Sequence, residues 1–246
     1  MSRALLLFLP ALLAAQDPRA IVAESQKRTQ SRSQHYEGTL TVVDSKGKRT
    51  DKKWTYDRIG SHGSSKSILR FTEPAEVRGV ALLVVNHPDR ASDQWMWIPE
   101  LGRDRRVALQ DRSTRFFGTD FTFEDLEERD VDQYTYRLLG EENMGGVLAW
   151  KIESKPKKSS QYTHSYVWIR KNDHALARIE NYKGSQLVRE LTYSDIRPVQ
   201  DIPTAHKMEM HDLGRKSRTS MTMEQLKYNV PVKEEDFTLQ ALRRGS

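Results

Sequence analysis

Short runs in which apolar and polar residues alternate cover most of the chain after residue 35. A period of two is typical of strands that bury one face. The first hairpin is predicted at residues 36–43 and 49–58, and a meander at residues 162–170, 175–181 and 186–193. Tight turns join most of the roughly eleven predicted strands, so the pattern indicates a mainly β protein with a few helices (α+β), whose antiparallel sheet curls into a barrel or half-barrel.

A helix is predicted before the first strand. Asp17 can cap its N-terminus, Pro18 suits the first helical position, and no helix breaker follows until about Gln34. The apolar residues of this stretch are bunched at its front, so we expect a helix that is anchored at one end.

Two interruptions, at residues 73–79 and 112–132, are too long to be hairpin turns. In the second, Thr122 and Asp125 have the spacing of a capping box, and an acidic first turn suits the helix dipole. We expect this segment to cross the open side of the sheet with three apolar side chains, Phe121, Phe123 and Leu126.

The beginning of the chain has the pattern of a secretory signal peptide. Arg3 provides a basic start, an apolar run follows, and small residues end at Ala15. The run is shorter than the ~20 residues that span a bilayer, so an uncleaved membrane anchor is the weaker alternative. We predict a signal peptide at residues 1–15, cleaved near Ala15, and a single exported domain at residues 16–246.

The composition excludes several kinds of site and argues against one class of partner. The 246 residues include no cysteine, which excludes disulfides, iron–sulfur clusters and thiolate zinc sites. The formal net charge is +6, but opposite charges alternate along the strands, as on a solvated surface. Export argues against nucleic acid as the partner of the basic residues.

Several predicted strands carry methionine, tryptophan or phenylalanine on one face. These side chains form adaptable apolar walls, and a large sheet under few helices tends to leave an apolar cavity. The alternative is that each residue fills an ordinary core. The predicted lining of the cavity consists of Leu69, Phe71, Trp95, Trp97, Phe121, Phe123, Trp150, Met208, Met210, Met221 and Met223.

No recognisable catalytic centre is present. Asp120, Glu124 and Asp125 lie close in sequence and could serve acid–base chemistry, but helix capping explains Asp120 and Asp125 without it. The histidines lack the spacing of metal ligands, and there is no nucleophile elbow, phosphate loop or dinucleotide fingerprint. We therefore predict a protein that is not an enzyme and that uses neither metal nor cofactor.

The charge cluster at residues 103–106 has two interpretations. It can be a solvated edge that blocks strand pairing. Alternatively, its arginines pair with Asp120 and Glu124 and clamp the crossing segment over the cavity. In the second interpretation a lid or gate is formed by Arg105, Arg106, Asp120 and Asp125.

The stretch between Pro74 and Leu126 resembles a known family. Its parts are Pro74 with Gly79, Trp95-Met96-Trp97-Ile98-Pro99, Arg105-Arg106 and Phe117-Gly118-Thr119-Asp120-Phe121-Thr122-Phe123-Glu124-Asp125-Leu126. Together they resemble the bacterial outer-membrane lipoprotein-sorting (LolA-like) family, from about Ala20 to Leu242. Phe237-Thr238-Leu239 resembles the closing strand of that family.

The resemblance implies an incomplete barrel: a curved antiparallel sheet covered by short helices, with an apolar hollow for acyl chains. It further implies a non-catalytic periplasmic carrier that moves a lipid or lipoprotein between the inner and outer membranes. An RND-type exporter in the inner membrane is the implied partner, with transient contact to membrane surfaces, and we expect a monomer. The alternatives are an envelope-stress sensor of the RseB-like kind, which binds mislocalised lipoprotein, and a secreted hydrolase that uses Asp120 and Asp125.

Overall fold

The computed structural model describes residues 16–244, so the predicted signal peptide lies outside the described residues. The helices are α1 (Pro18–Arg28) and α2 (Leu239–Arg244). The strands are β1 (Ser33–Val43), β2 (Arg49–Ser61), β3 (Ser64–Glu73), β4 (Ala81–Val85), β5 (Asp93–Ile98), β6 (Arg103–Arg106), β7 (Tyr134–Met144), β8 (Val147–Pro156), β9 (His164–Arg170), β10 (Leu176–Lys183), β11 (Gln186–Val199), β12 (Ile202–Asp212) and β13 (Ser217–Tyr228).

All described strands belong to one antiparallel sheet in the order β6-β5-β4-β3-β2-β1-β13-β12-β11-β10-β9-β8-β7. The sheet is not closed, because β6 and β7 form its two edges. The first and last strands pair near its centre, where Leu40 of β1 lies opposite Met221 of β13. The predicted sheet is confirmed as mainly β, open and antiparallel.

The strand count differs from the prediction: the sheet has thirteen strands and not roughly eleven. The unpredicted strand is β6, which pairs with β5 from Ile98↔Arg103 to Trp95↔Arg106. All but one of its side chains are charged and exposed, and backbone hydrogen bonds hold it in the sheet. Hydrophobic alternation cannot reveal a strand of this kind.

Helix α1 begins where the sequence predicts and ends earlier. The Asp17 side chain accepts a hydrogen bond from the Arg19 backbone N–H at 3.0 Å, and Pro18 is the first helical residue. The helix ends at Arg28 rather than near Gln34, because Thr29 caps it and the chain joins the sheet from Ser33 onward. None of the helices in residues 16–244 is long and apolar enough to cross a membrane.

The C-terminal segment is helical and does not form the closing strand that the resemblance implies. A 3₁₀ turn spans Glu234–Phe237, and α2 follows. Phe237 and Leu242 instead pack with Leu83 in a small apolar cluster.

One large apolar core holds the sheet in a curve. Leu69 of β3 and Ile169 of β9 belong to the same buried cluster, although their strands are far apart in the sheet. Residues from so many strands can share one core only if the sheet bends around it. The concave face is therefore the buried face.

The connection between β6 and β7, residues 107–133, covers this core and is called the covering segment below. Its Phe116 stacks on Phe71 of β3 with ring centroids 5.5 Å apart. The predicted capping box forms: Asp125 accepts from the Thr122 N–H at 2.8 Å, and Thr122 Oγ1 accepts from the Asp125 N–H at 3.3 Å. It starts a single 3₁₀ turn, Glu124–Leu126.

Candidate functional site

A cavity of about 400 Å³ lies on the concave face, and we call it the main cavity. Its volume falls within the range of small-molecule binding sites. Three parts of the chain enclose it: the C-terminal half of α1, the covering segment, and six strands. These strands are β1, β2, β10, β11, β12 and β13. A helix and an irregular segment, and not strands, therefore form one side of the cavity.

The sheet provides the apolar wall of the main cavity. Met210 is fully buried, and Met223 and Leu191 are nearly so. They lie on neighbouring strands. Leu191 is paired with Met210 in the sheet register, so these two side chains lie on the same, inward face. Flexible thioether side chains adapt to ligands of different shapes. The complete apolar lining is Tyr36, Ala175, Leu176, Ile179, Leu191, Tyr193, Pro203, Ala205, Met208, Met210, Met223 and Tyr228.

Charged residues form a polar end of the same cavity. Arg58 of β2 is only 4% exposed, and its Nη1 lies 3.4 Å from Glu128 Oε1 in the covering segment. Its Nη2 donates to Ser31 Oγ at 2.9 Å. Breaking such a pair would leave a buried charge without compensation, so the pair joins the covering segment to the sheet.

Arg129 is a second cation at the polar end. Its Nη2 donates to Asn181 Oδ1 at 3.4 Å, and its guanidinium lies 5.6 Å from the centroid of the Tyr134 ring. Burial acts to lower the pKa of Arg129, but the surrounding acidic groups together outweigh it, so the pKa is raised; they are Tyr134, Asp125, Tyr162 and Tyr193. The guanidinium is therefore charged inside the cavity wall.

The tyrosines of the cavity are neutral. Burial raises the pKa of Tyr193 to about 12 and places the pKa of Tyr36 well above its usual range. The hydroxyls of Tyr228 and Thr204 are hydrogen-bonded to each other at 2.9 Å. A cavity with an apolar wall and a charged polar end suits an amphiphile.

The structure brings only part of the predicted lining to the main cavity. Met208, Met210 and Met223 line it. The other predicted residues on this face belong to the same buried core without lining the cavity; they are Leu69, Phe71, Phe121, Phe123, Trp150 and Met221. Whether any of them contacts a ligand stays a prediction.

Trp95 and Trp97 lie away from the main cavity. Both pack against the small cluster formed by Ile68, Leu83 and Leu242. Side chains of β5 alternate between the two faces, so Met96 faces the large core while its neighbours face α2. The sequence shows the alternation, but it does not show which face of this strand is concave.

The predicted pairing of the arginine cluster with Asp120 and Glu124 is not formed. Arg105 lies 3.5 Å from Asp111, and Arg106 lies 2.5 Å from Asp93. Both arginines are about two-thirds exposed on edge strand β6, whereas Asp120 is buried and paired with Arg115. The edge interpretation of this cluster fits its position.

The two carboxylates assigned to the lid have other partners. Asp120 is fully buried, 2.9 Å from Arg115, and accepts from Thr219 Oγ1 of β13 at 2.8 Å. Asp125 lines the main cavity and accepts from the Tyr162 hydroxyl at 2.8 Å. Both hold the covering segment in place, and their role as a gate stays a prediction.

Sequence reasoning missed the polar end. Its members are Arg58, Glu128, Arg129 and Asn181. One signal was available: Trp54, Tyr56 and Arg58 occupy alternate positions of one strand, which places a cation on an inward face. Its partner Glu128 is seventy positions away, so no local pattern connects them.

A second cavity of about 440 Å³ lies beside edge strand β6. Phe123 is in its wall and Asp125 is in the wall of the main cavity, so the covering segment contributes to both. Its lining is Met96, Ile98, Arg105, Val107, Asp111, Thr114, Arg115, Phe117, Gly118 and Phe123. In the described residues, no group of three histidine, aspartate or glutamate side chains is placed to hold a metal ion.

Comparisons with known proteins identify the fold. A family model described as "Uncharacterized protein" matches residues 63–244. A domain from Vibrio parahaemolyticus, described as an outer membrane lipoprotein-sorting protein, superimposes with a TM-score of 0.88 at 24% identity, covering 92% of this chain and 98% of that one. No curated protein matches the chain.

Two further solved structures are similar. A DUF1329 family protein from Desulfovibrio piger has a TM-score of 0.87 at 25% identity, covering 92% of this chain and all of that one (100%). A LolA superfamily protein from Nitrosomonas europaea has a TM-score of 0.73 at 18% identity, with coverage of 92% and 100%. The curved open sheet expected from the resemblance is confirmed.

Proposed function

The chain belongs to the family whose model matches residues 63–244 and has the fold of LolA-like lipoprotein-sorting proteins, and from this premise we propose that it is a non-catalytic lipid carrier. It binds the acyl chains of a lipid or lipoprotein in the main cavity and moves them between the inner and outer membranes. Its place of action is the periplasm, after removal of residues 1–15.

The two-ended cavity is the observation that carries this proposal. Acyl chains lie against Met208, Met210 and Met223, and the polar end at Arg58 and Arg129 faces the head group. Burial of each methylene contributes about 0.8 kcal/mol, from which the cost of ordering the chain is subtracted. Because Glu128 balances Arg58, the polar end offers hydrogen bonds without a large uncompensated charge.

The similar proteins support a binding function. They are described as a lipoprotein-sorting protein, a DUF1329 family protein and a LolA superfamily protein, and none is described as an enzyme. A carrier must receive its cargo from a donor and pass it to an acceptor. We propose an RND-type exporter of the inner membrane as one such partner. This partner rests on the resemblance of the sequence motif.

A tryptophan placed in the main cavity tests the proposal. Met208 is half-buried in the cavity wall, so Met208→Trp fills space that an acyl chain would occupy. We expect the variant to bind a fluorescent fatty acid about tenfold more weakly, which corresponds to about 1.4 kcal/mol. Native mass spectrometry of wild-type protein purified from bacterial envelopes should show a bound lipid.

Met144→Trp is the matched control, because Met144 ends β7 at a hairpin turn outside the cavity. It should bind the fatty acid like the wild type. The proposal is wrong if the wild type neither retains a lipid nor takes up the fatty acid, or if both variants lose affinity equally.

A further inference from the structure

Three hairpin turns meet at one end of the sheet. Val43 of β1 pairs with Arg49 across the first turn and with Arg218 of β13 on its other side. The β12–β13 turn in turn adjoins the start of β11, since the Leu213 N–H donates to the Val188 carbonyl at 3.1 Å. Residues 44–49, 183–186 and 213–218 therefore form one continuous rim, which we call the basic rim.

Most cations of the basic rim are not held in close ion pairs. Arg49 pairs with Asp51. Among residues 16–244, no ion pair or side-chain hydrogen bond engages six other exposed cations of the rim, Lys46, Lys48, Lys183, Arg215, Lys216 and Arg218. Elsewhere on the sheet, arginine and lysine side chains are commonly paired, as Arg178 is with Glu180 and Glu190.

The nearby carboxylates are too few to neutralise the rim. Asp44 is held inside its own turn, where it accepts from the N–H groups of Lys46 and Lys48 at 2.8 and 2.9 Å. Asp212 is buried and lies 3.2 Å from Arg189. The six cations stand against one exposed carboxylate of the rim, Asp44, so the surface of the turns has a net positive charge.

An apolar side chain stands among these cations. Leu213 is 44% exposed at the tip of the β12–β13 turn, directly before Gly214 and the basic pair Arg215-Lys216. Cations that attract anionic head groups, next to a side chain that can enter the interface, are the elements of peripheral membrane binding. We propose that the basic rim docks the protein on a bilayer surface that contains anionic phospholipid.

The rim is attached to the part of the fold that covers the core. Ser217 and Thr219, at the start of β13, both donate hydrogen bonds to the Asp120 carboxylate in the covering segment. Docking at the rim thus places the covering segment beside the membrane. This inference does not rest on occupancy of the main cavity, so it can fail while the carrier proposal holds.

Vesicle sedimentation tests the docking surface. Wild-type protein should bind vesicles of phosphatidylcholine and phosphatidylglycerol and leave vesicles of phosphatidylcholine alone unbound. Lys46→Gln combined with Lys216→Gln should weaken binding about thirtyfold, because each cation near an anionic surface contributes about 1 kcal/mol. High salt should weaken wild-type binding as well.

Lys207→Gln combined with Lys227→Gln is the matched control. It removes the same charge from exposed positions in the middle of β12 and near the end of β13, and it should bind vesicles like the wild type. Leu213→Ser is a second, uncharged test, which should weaken binding at both low and high salt.

Three results would overturn the proposal: equal binding to both kinds of vesicle, equal losses in the test and control pairs, or no binding at all. The last would leave an acidic protein as the partner of the rim. Fatty-acid uptake by each variant, measured in parallel, separates this result from a failure of the carrier proposal.

Discussion

The position of Tyr193 shows how individual side chains set the properties of the main cavity. The residue lies in the cavity wall on β11, opposite Met208 of β12 in the register. Burial raises the pKa of its phenol to about 12, against the partial compensation of Arg129. The charge of Arg129 at the polar end therefore also influences a neutral residue of the cavity wall.

Tyr193→Phe should reduce the loss of stability at alkaline pH. Because the pKa is raised in the folded protein, the contribution of the neutral phenol is complete below about pH 10 and is lost as the pH rises toward 12. Between pH 9 and 11 we expect the wild type to lose up to about 1.4 kcal/mol more than the variant, which corresponds to one pKa unit. Urea unfolding at pH 9 and 11 measures the difference, and parallel losses in the two proteins would contradict the assignment.

At the scale of secondary structure, the edge strands are the exposed features of the fold. β6 has a neighbour on one side only, and three of its four residues are arginines. Unpaired backbone groups on such an edge can recruit another chain, and charged side chains oppose this. The charges of Arg103–Arg106 suit this protective role without a contact to the covering segment.

Replacing Arg103 and Arg105 together by threonine should promote self-association. Threonine favours strands and removes the charges that keep a second edge away. Sedimentation velocity should show the double variant forming dimers or larger species as concentration rises. The control replaces Lys207 and Lys227, on internal strands β12 and β13, by threonine and should stay like the wild type; association of the control would mean that net charge, and not the edge, decides.

Over the whole molecule, a single core connects the two halves of the sheet. Trp54 of β2 and Trp150 of β8 belong to the same apolar cluster, and β1 pairs with β13 at the centre. Neither half can bury its concave face without the other. We therefore propose that residues 16–246 behave as one domain.

Unfolding should occur in one cooperative transition. Tryptophans lie in both halves of the sheet, so tryptophan fluorescence and far-ultraviolet circular dichroism report on the same core and on all strands. Their urea midpoints should coincide. Two separated midpoints would show that the halves of the sheet unfold independently.

Many strands and helix starts could be predicted from the sequence, because they depend on the pattern of residues close together in the chain. Alternation identified the strands of the first hairpin and the meander, Asp17-Pro18 marked the start of α1, and Thr122 with Asp125 marked the capping box. Each signal comes from residues close in sequence, where backbone geometry limits the outcome. The family resemblance added the open, curved form of the sheet.

The tertiary structure alone decided which residues meet. The hydrophobic pattern does not predict β6, because this strand is held by backbone hydrogen bonds and has no apolar side chains. Trp95 and Trp97 were assigned to the cavity, since alternation separates two faces without saying which is concave. Arg58 meets Glu128 only after the covering segment has crossed the sheet. The sequence by itself determined the elements, whereas long-range packing determined the cavity, because the cavity exists only where distant strands curve around one core.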